Sequence, residues 1–182
     1  MLVKNVADMI DGLNSMIGEV LKWALLVSVL LTAITAILRY AFDLGYPWLP
    51  EAAIWINAMV FTLGSAWVLQ QEGHVRVDLI YGRVGDKGKA WINLIGTLVL
   101  LYPMLWVVAS KSWPTIYRSW SVLEKSSTSG GLPFMYLLKS CIWGFCILLA
   151  LQGLSMILKS ILVIRGSETG GPGESSPAKA KI

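Results

Sequence analysis

The sequence predicts an all-α integral membrane protein with four transmembrane helices plus amphipathic interfacial helices. Of its 182 residues, 55% are hydrophobic and only 14% are charged, whereas soluble domains are about 25% charged. Such a chain lacks the polar side chains to cover its apolar bulk in water, but a bilayer solvates apolar faces directly. The chain also contains 9 Trp, a residue that concentrates where hydrocarbon meets headgroups.

Four stretches without a charged residue define the predicted spans. They are residues 23–38, 52–71, 90–110 and 140–158. A membrane-crossing helix needs about 20 largely apolar residues, and long charged side chains at its ends can reach the headgroups. With these ends included, the spans are expected at about 20–42, 51–71, 90–111 and 136–164. They form one four-helix membrane domain over residues 23–165.

Two amphipathic segments flank the spans. Residues 1–22 carry apolar side chains at intervals of three and four, namely Leu2, Val6, Met9, Leu13, Ile17 and Val20. This spacing predicts an interfacial helix that leads into span one. A second such stripe comprises Trp113, Ile116, Tyr117, Trp120 and Leu123. There, Ser112 is expected to cap a separate helix with Pro114 in its first turn.

Three further features are predicted along the chain. Pro103 should kink span three, because proline removes a backbone donor from the helix. Small residues at intervals of four, Ala58, Thr62 and Ala66 in span two and Ser140 and Gly144 in span four, mark close helix contacts. Whether these contacts are within the chain or with another chain stays open. Residues 166–182 are rich in Gly, Ser and Pro and predict a disordered cytoplasmic tail.

Basic residues predict the orientation. The N-terminal segment, the connection between spans two and three and the C-terminal tail together hold ten Lys and Arg, and the other two connections hold five. Because Lys and Arg accumulate in cytoplasmic segments, both termini are expected in the cytoplasm. The net charge of +4 is then a topology signal, since no dense basic cluster indicates a nucleic-acid partner.

The span centres lack the groups that chemistry or transport needs. Ionisable side chains inside a membrane are costly and usually functional, and the four charge-free stretches hold none. Their notable polar residues, Asn57, Asn93 and Gln152, are expected to hydrogen-bond between helices. The single histidine, His74, and the two cysteines, Cys141 and Cys146, form no metal-ligand spacing and no CxxC motif. We therefore expect no enzyme, no catalytic residue, no metal and no cofactor.

The most informative stretch runs from residue 51 to residue 81. Glu51 begins span two and Trp55 follows one turn later; the loop after the span reads Gly-His-Val-Arg-Val-Asp from Gly73 to Asp78. His74 and Arg76 can face lipid phosphates or donate hydrogen bonds, and Asp78 can cap a short helix or pair with a nearby arginine. A solvated turn with lipid-facing cations explains these residues as well as a subunit contact does.

These motifs resemble the small membrane subunit, DctQ-like, of tripartite ATP-independent periplasmic (TRAP) transporters. Family members share the Glu and following Trp at the start of span two, the Gly-His-hydrophobic-Arg-Val-Asp loop, and a Gly-Leu-Pro entering span four, here Gly131-Leu132-Pro133. The resemblance covers about residues 10 to 165, and it extends to size and the number of spans. Gln71 stands where many members have a basic residue.

The resemblance implies a function and partners. The small subunit of this family pairs with a large membrane subunit that holds an elevator-type transport domain, and a periplasmic binding protein delivers the solute transiently. Uptake of a carboxylate or sugar acid is driven by an ion gradient, commonly sodium. The chain would then be a multi-pass scaffold of the bacterial inner membrane in contact with lipids. Candidate subunit-contact or structural polar residues are Glu51, Trp55, His74, Arg76 and Asp78.

Two other functions stay open at this point. The small four-span subunit of a tricarboxylate-type tripartite transporter has a similar layout, although the Gly73–Asp78 loop argues against it. An autonomous four-span exporter would need a membrane-embedded Glu in span one, and residues 23–38 contain no acid.

Overall fold

The structure, a computed structural model, describes residues 2–71 and 85–166. Its helices are α1 (Leu2–Phe42), α2 (Trp48–Gln70), α3 (Asp86–Gly96), α4 (Tyr102–Ser121) and α5 (Met135–Ile164), with a π-helical turn at Thr97–Leu101. Four helical stretches are long and apolar enough to cross a membrane, and these are Val3–Phe42, Trp48–Gln70, Lys87–Ser121 and Met135–Ile164. The predicted all-α fold with four spans is therefore confirmed for the part of the chain that the structure describes.

Helix α1 is one uninterrupted helix of 41 residues, about 60 Å long at ~1.5 Å per residue. The segment expected at the interface thus joins span one without a break. Its apolar stripe faces outward, since Met9 is 76% exposed and Val20 63%. The inward face carries small and polar positions instead, including Ala7 and Asn14, which are 0% and 1% exposed.

Span three comprises α3, the π-helical turn and α4. Pro103 has no backbone N–H, so the carbonyl one turn before it loses its usual α-helical donor. The chain widens at this point, and the Tyr102 backbone N–H donates to the Thr97 carbonyl five residues earlier. A π-helical turn thus directly precedes Pro103, and the kink predicted there stays a prediction.

The predicted separate helix beginning at Ser112 is wrong. Helix α4 continues through Pro114 to Ser121, and the Ser112 hydroxyl donates to the Ala109 carbonyl of its own helix. Packing against α5 explains the continuity. The rings of Trp113 and Trp143 lie 4.6 Å apart, and the Trp120 indole N–H donates to Ser140 Oγ at 2.8 Å.

Helix α5 is the central element. It packs against α1, α2, α3 and α4, whereas span three makes most of its contacts with α5 alone. In the most apolar 18-residue stretch of α5, 33% of the residues are buried, whereas in the corresponding stretch of α1 only 6% are buried. Helices α1 and α2 therefore expose most of one side, as span three does, to whatever surrounds the bundle.

Two of the small residues of spans two and four, Ala66 and Gly144, pack against larger side chains of this chain. Ala66 of α2 is fully buried in a cluster with Leu105, Cys146 and Leu149. A Cβ built on Gly144 would lie 2.6 Å from a methyl of Leu63, so these two helices approach closely. The sequence left open whether such residues contact helices of this chain or of another chain. For Ala66 and Gly144 the contacts are within this chain.

Candidate functional site

Glu51 connects the start of α2 to the loop that precedes α5. Its Oε2 accepts a hydrogen bond of 2.9 Å from the backbone N–H of Leu132. Gly131 makes this approach possible, because a side chain there would collide with the Glu51 carboxylate. Two motifs are thus in direct contact through residues that lie 81 positions apart in the chain.

Trp55 lies one turn further along α2 and is 7% exposed. Its side chain is packed in the interior of the described bundle, so it is not available for a contact at the surface. The other three candidates, His74, Arg76 and Asp78, lie outside the residues that the structure describes. Their role in a subunit contact stays a prediction.

A polar network that the sequence did not single out connects α1 and α5. We call it the Asp11 network, and it consists of Asp11, Asn14, Gln152, Ser155 and Lys159. Asp11 accepts hydrogen bonds from Ser155 Oγ at 2.8 Å and from Gln152 Nε2 at 3.1 Å, and it forms an ion pair with Lys159. Asn14 Nδ2 donates to Gln152 Oε1 at 2.6 Å.

The network is protected from solvent in its centre and accessible at its charged edge. Asn14, Gln152 and Ser155 are 1%, 2% and 0% exposed, whereas the Lys159 side chain is 31% exposed. Gln70 of α2 extends the network by donating to the Asp11 carbonyl at 3.0 Å. Three helices are thereby joined near the ends at which α1 begins and α5 ends.

The three amides of the spans behave differently from one another. Gln152 bonds between helices, as predicted. Asn57 makes no side-chain hydrogen bond to any described residue, and Asn93 Nδ2 is buried without a partner among them. A signal for the network was present in α5, where positions 152, 155 and 159 share one helix face and place a glutamine, a serine and a lysine together.

At the opposite end of the bundle, a second ion pair connects the α4–α5 loop to α5. Lys139 Nζ lies 2.5 Å from Glu124 Oε2. The hydrogen bond from Lys139 holds the pKa of the Glu124 carboxyl below its usual range. The pair is therefore intact above the ordinary carboxyl pKa and is lost only as the pH falls through the lowered value.

The described residues contain no group of three or more His, Cys, Asp or Glu that could hold a metal ion. The hydroxyls of the spans bond mainly to backbone carbonyls of their own helices, as Thr62 does to Ala58. Most of these polar groups thus join two helices or bond within their own helix, whereas Asn93 Nδ2 has no described partner. Their arrangement is suited to holding helices together.

The fold and these contacts define a small multi-pass α-helical membrane protein. A family model described as "Tripartite ATP-independent periplasmic transporters, DctQ component" matches residues 28–162. The chain belongs to this family, so it is a small membrane subunit of the TRAP transporter class. No curated protein and no solved structure matched the chain.

Proposed function

We propose that the chain is a static scaffold for the large elevator-type subunit of a secondary TRAP transporter. In this proposal a periplasmic protein delivers a carboxylate or sugar acid, and an ion gradient, commonly sodium, drives uptake. The single observation that carries the scaffold role is that the four charge-free stretches contain no Asp, Glu, Lys, Arg or His. A proton or ion pathway through hydrocarbon needs such groups.

The contacts of the described polar residues support this role. The network around Asp11 joins α1, α2 and α5, and the Tyr102 hydroxyl donates to the Ala150 carbonyl of α5 at 3.1 Å. Interhelical hydrogen bonds in membranes stabilise helix association. A bundle held in this way resists deformation while a neighbouring domain moves.

Exposed tryptophans at both ends of the helices would oppose vertical movement. Trp23 is 70% exposed and Trp91 51%, and both are on the side where α2 ends and α3 begins. Trp48 and Trp113, at 45% and 53%, are on the side of the α1–α2 and α4–α5 connections. Trp favours the membrane interface, so displacing the chain along the membrane normal costs free energy.

The proposed orientation places both termini in the cytoplasm of a bacterial inner membrane. Asp11 near the beginning of α1 pairs with Lys159 near the end of α5, so the two ends of the membrane domain share one side of the bundle. The excess of basic residues in the terminal segments and in the connection between spans two and three assigns that side to the cytoplasm.

Copurification from native membranes tests the proposal. After solubilisation in mild detergent, the tagged chain is expected to copurify with one large multi-span membrane protein, the large subunit of the same transporter. Arg76→Ala should lower the yield of that protein while leaving membrane insertion unchanged, because it removes a cation from the Gly73–Asp78 loop. Recovery of the wild-type chain free of any large membrane protein would contradict the scaffold role.

A further inference from the structure

A cleft between α1 and α2 has unsatisfied polar groups on its walls. This α1–α2 cleft has a volume of about 390 Å³, and its lining includes Ser28, Thr35 and Arg39 from α1 and Ile54 and Asn57 from α2. It opens on the outside of the bundle, since Ile54 on its rim is 66% exposed. It lies toward the ends of α1 and α2 that meet at their connection, and the Asp11 network lies toward the other ends of these two helices.

The Ser and Thr hydroxyls of the cleft already have acceptors. Ser28 Oγ donates to the Ala53 carbonyl across the two helices at 2.9 Å. Thr32 and Thr35 donate to carbonyls of their own helix, those of Ser28 and Leu31. These residues close the floor of the cleft and require nothing further.

Asn57 differs from these hydroxyl groups. Its side chain faces the cleft, and no described residue donates to it or accepts from it. The residue is nine positions after the first residue of α2, which is about 13 Å along the helix axis at ~1.5 Å per residue. An amide at that depth in hydrocarbon is costly unless it is paired.

Arg39 is the second unpaired group. It lies on the wall of the cleft toward the α1–α2 connection, and its guanidinium has no ion pair with any described residue. A lipid headgroup could satisfy Arg39, but acyl chains cannot bond to the Asn57 amide. A protein helix can satisfy both groups, because it can carry a hydrogen-bonding side chain at one depth and an acid two to three turns away.

We infer that the α1–α2 cleft receives a transmembrane helix of the large subunit. That helix would present a hydrogen-bonding side chain opposite Asn57 and an acidic side chain, or its carbonyl end, near Arg39. The inference rests on the proposed function and deepens it, since it assigns one face of the chain to the partner. Span three, on the other side of α5, then remains available to lipid.

Photo-crosslinking in native membranes tests the position of the partner. A photo-reactive amino acid replaces Ile54 in the cleft or, as a control, Trp106 of α4, which is 76% exposed on span three. We expect a crosslink to the large subunit from position 54 and none from position 106. A lipid adduct alone, or a crosslink to a second copy of the chain, at position 54 would overturn the inference.

Two substitutions test the chemistry of the cleft. Asn57→Leu should weaken recovery of the large subunit by roughly threefold to twentyfold, the range expected for one interhelical hydrogen bond. It should leave the thermal stability of the isolated full chain unchanged or higher, because Asn57 has no partner among the described residues. If Asn57→Leu instead lowers the thermal stability of the isolated chain, Asn57 acts within the chain and not at the partner contact.

Arg39→Gln removes the charge at the cleft and should also lower recovery of the large subunit. Arg118→Gln is the matched control, because Arg118 is an exposed arginine of α4 at the same end of the bundle and should have no effect. If the wild-type chain captures the large subunit but neither cleft variant weakens it, the cleft inference fails and the scaffold proposal stands. If the wild-type chain captures no large subunit, both fail.

Discussion

Replacing Asp11 with alanine is expected to destabilise the isolated chain by about 3 kcal/mol. The substitution removes the acceptor for Gln152 Nε2, leaves Ser155 only the Ala7 carbonyl at 3.3 Å, and leaves Lys159 without its partner. A buried donor without an acceptor costs about 1–3 kcal/mol, and loss of one member of a buried ion pair costs about 3–5 kcal/mol. Because Lys159 is 31% exposed, solvent recovers part of the second cost.

Thermal unfolding in detergent measures this effect. A fluorogenic thiol probe reports the transition, because Cys146 is 8% exposed in the folded chain and becomes reactive on unfolding. Asp11→Asn should cost less than Asp11→Ala, since an amide oxygen can still accept from Ser155. Lys159→Met should also cost less, because Asp11 keeps its two neutral donors. Equal unfolding midpoints for the wild type and Asp11→Ala would show that the Asp11 network does not stabilise the chain.

Gly18→Ala is the second substitution with a large expected effect. Gly18 of α1 lies against the indole of Trp67 on α2, and a Cβ built there would lie 2.5 Å from the ring. Inserting a methyl group into a packed contact costs about 1–3 kcal/mol. The ring also supports Lys22, whose Nζ lies 5.0 Å from its centroid, so displacing it loosens the α1–α2 contact further.

A second glycine of the same helix gives a matched control with the opposite sign. Gly12 is exposed, and a Cβ built on it meets nothing within 4 Å. In an open position inside a helix, Ala is favoured over Gly by about 1 kcal/mol. Gly12→Ala should therefore raise the midpoint in the thiol-probe assay while Gly18→Ala lowers it. A rise for both variants would show that α1 and α2 do not approach as closely as the structure indicates.

The spans were predictable because each depends on a local property of the sequence. A charge-free stretch such as residues 140–158 must be solvated by hydrocarbon, whatever its neighbours are. The kink expected at Pro103 also rests on a local property, its missing donor, but it stays a prediction. The π-helical turn before Pro103 was not predicted, and its residues Thr97 and Leu101 lie against Gly153 of α5.

The polar contacts were harder to predict from the sequence, because they join distant parts of the chain. Glu51 and the Gly131-Leu132-Pro133 motif were both identified in the sequence, but nothing local shows that Glu51 accepts from Leu132. Asp11 was missed because it occupies the polar face of an amphipathic segment, and in water that face is solvated. In a bilayer the apolar stripe can face outward, and polar groups such as Asp11 and Asn14 can form the helix contacts.

The helix start predicted at Ser112 failed for a related reason. Serine before a proline is a good local signal for a helix beginning. The aromatic packing of Trp113 on Trp143 and the bond from Trp120 to Ser140 instead hold α4 along α5. Tertiary contacts of this kind override a local preference of about 1 kcal/mol.

Solute uptake into proteoliposomes tests the central claim most directly. The vesicles contain the small chain alone, the large subunit alone, or both, and they are supplied with an inward ion gradient and the solute-loaded periplasmic protein. The account predicts no uptake by the small chain alone and the highest uptake with both subunits. Uptake by the small chain alone would contradict it, because a solute would then cross through spans whose charge-free stretches hold no Asp, Glu, Lys, Arg or His.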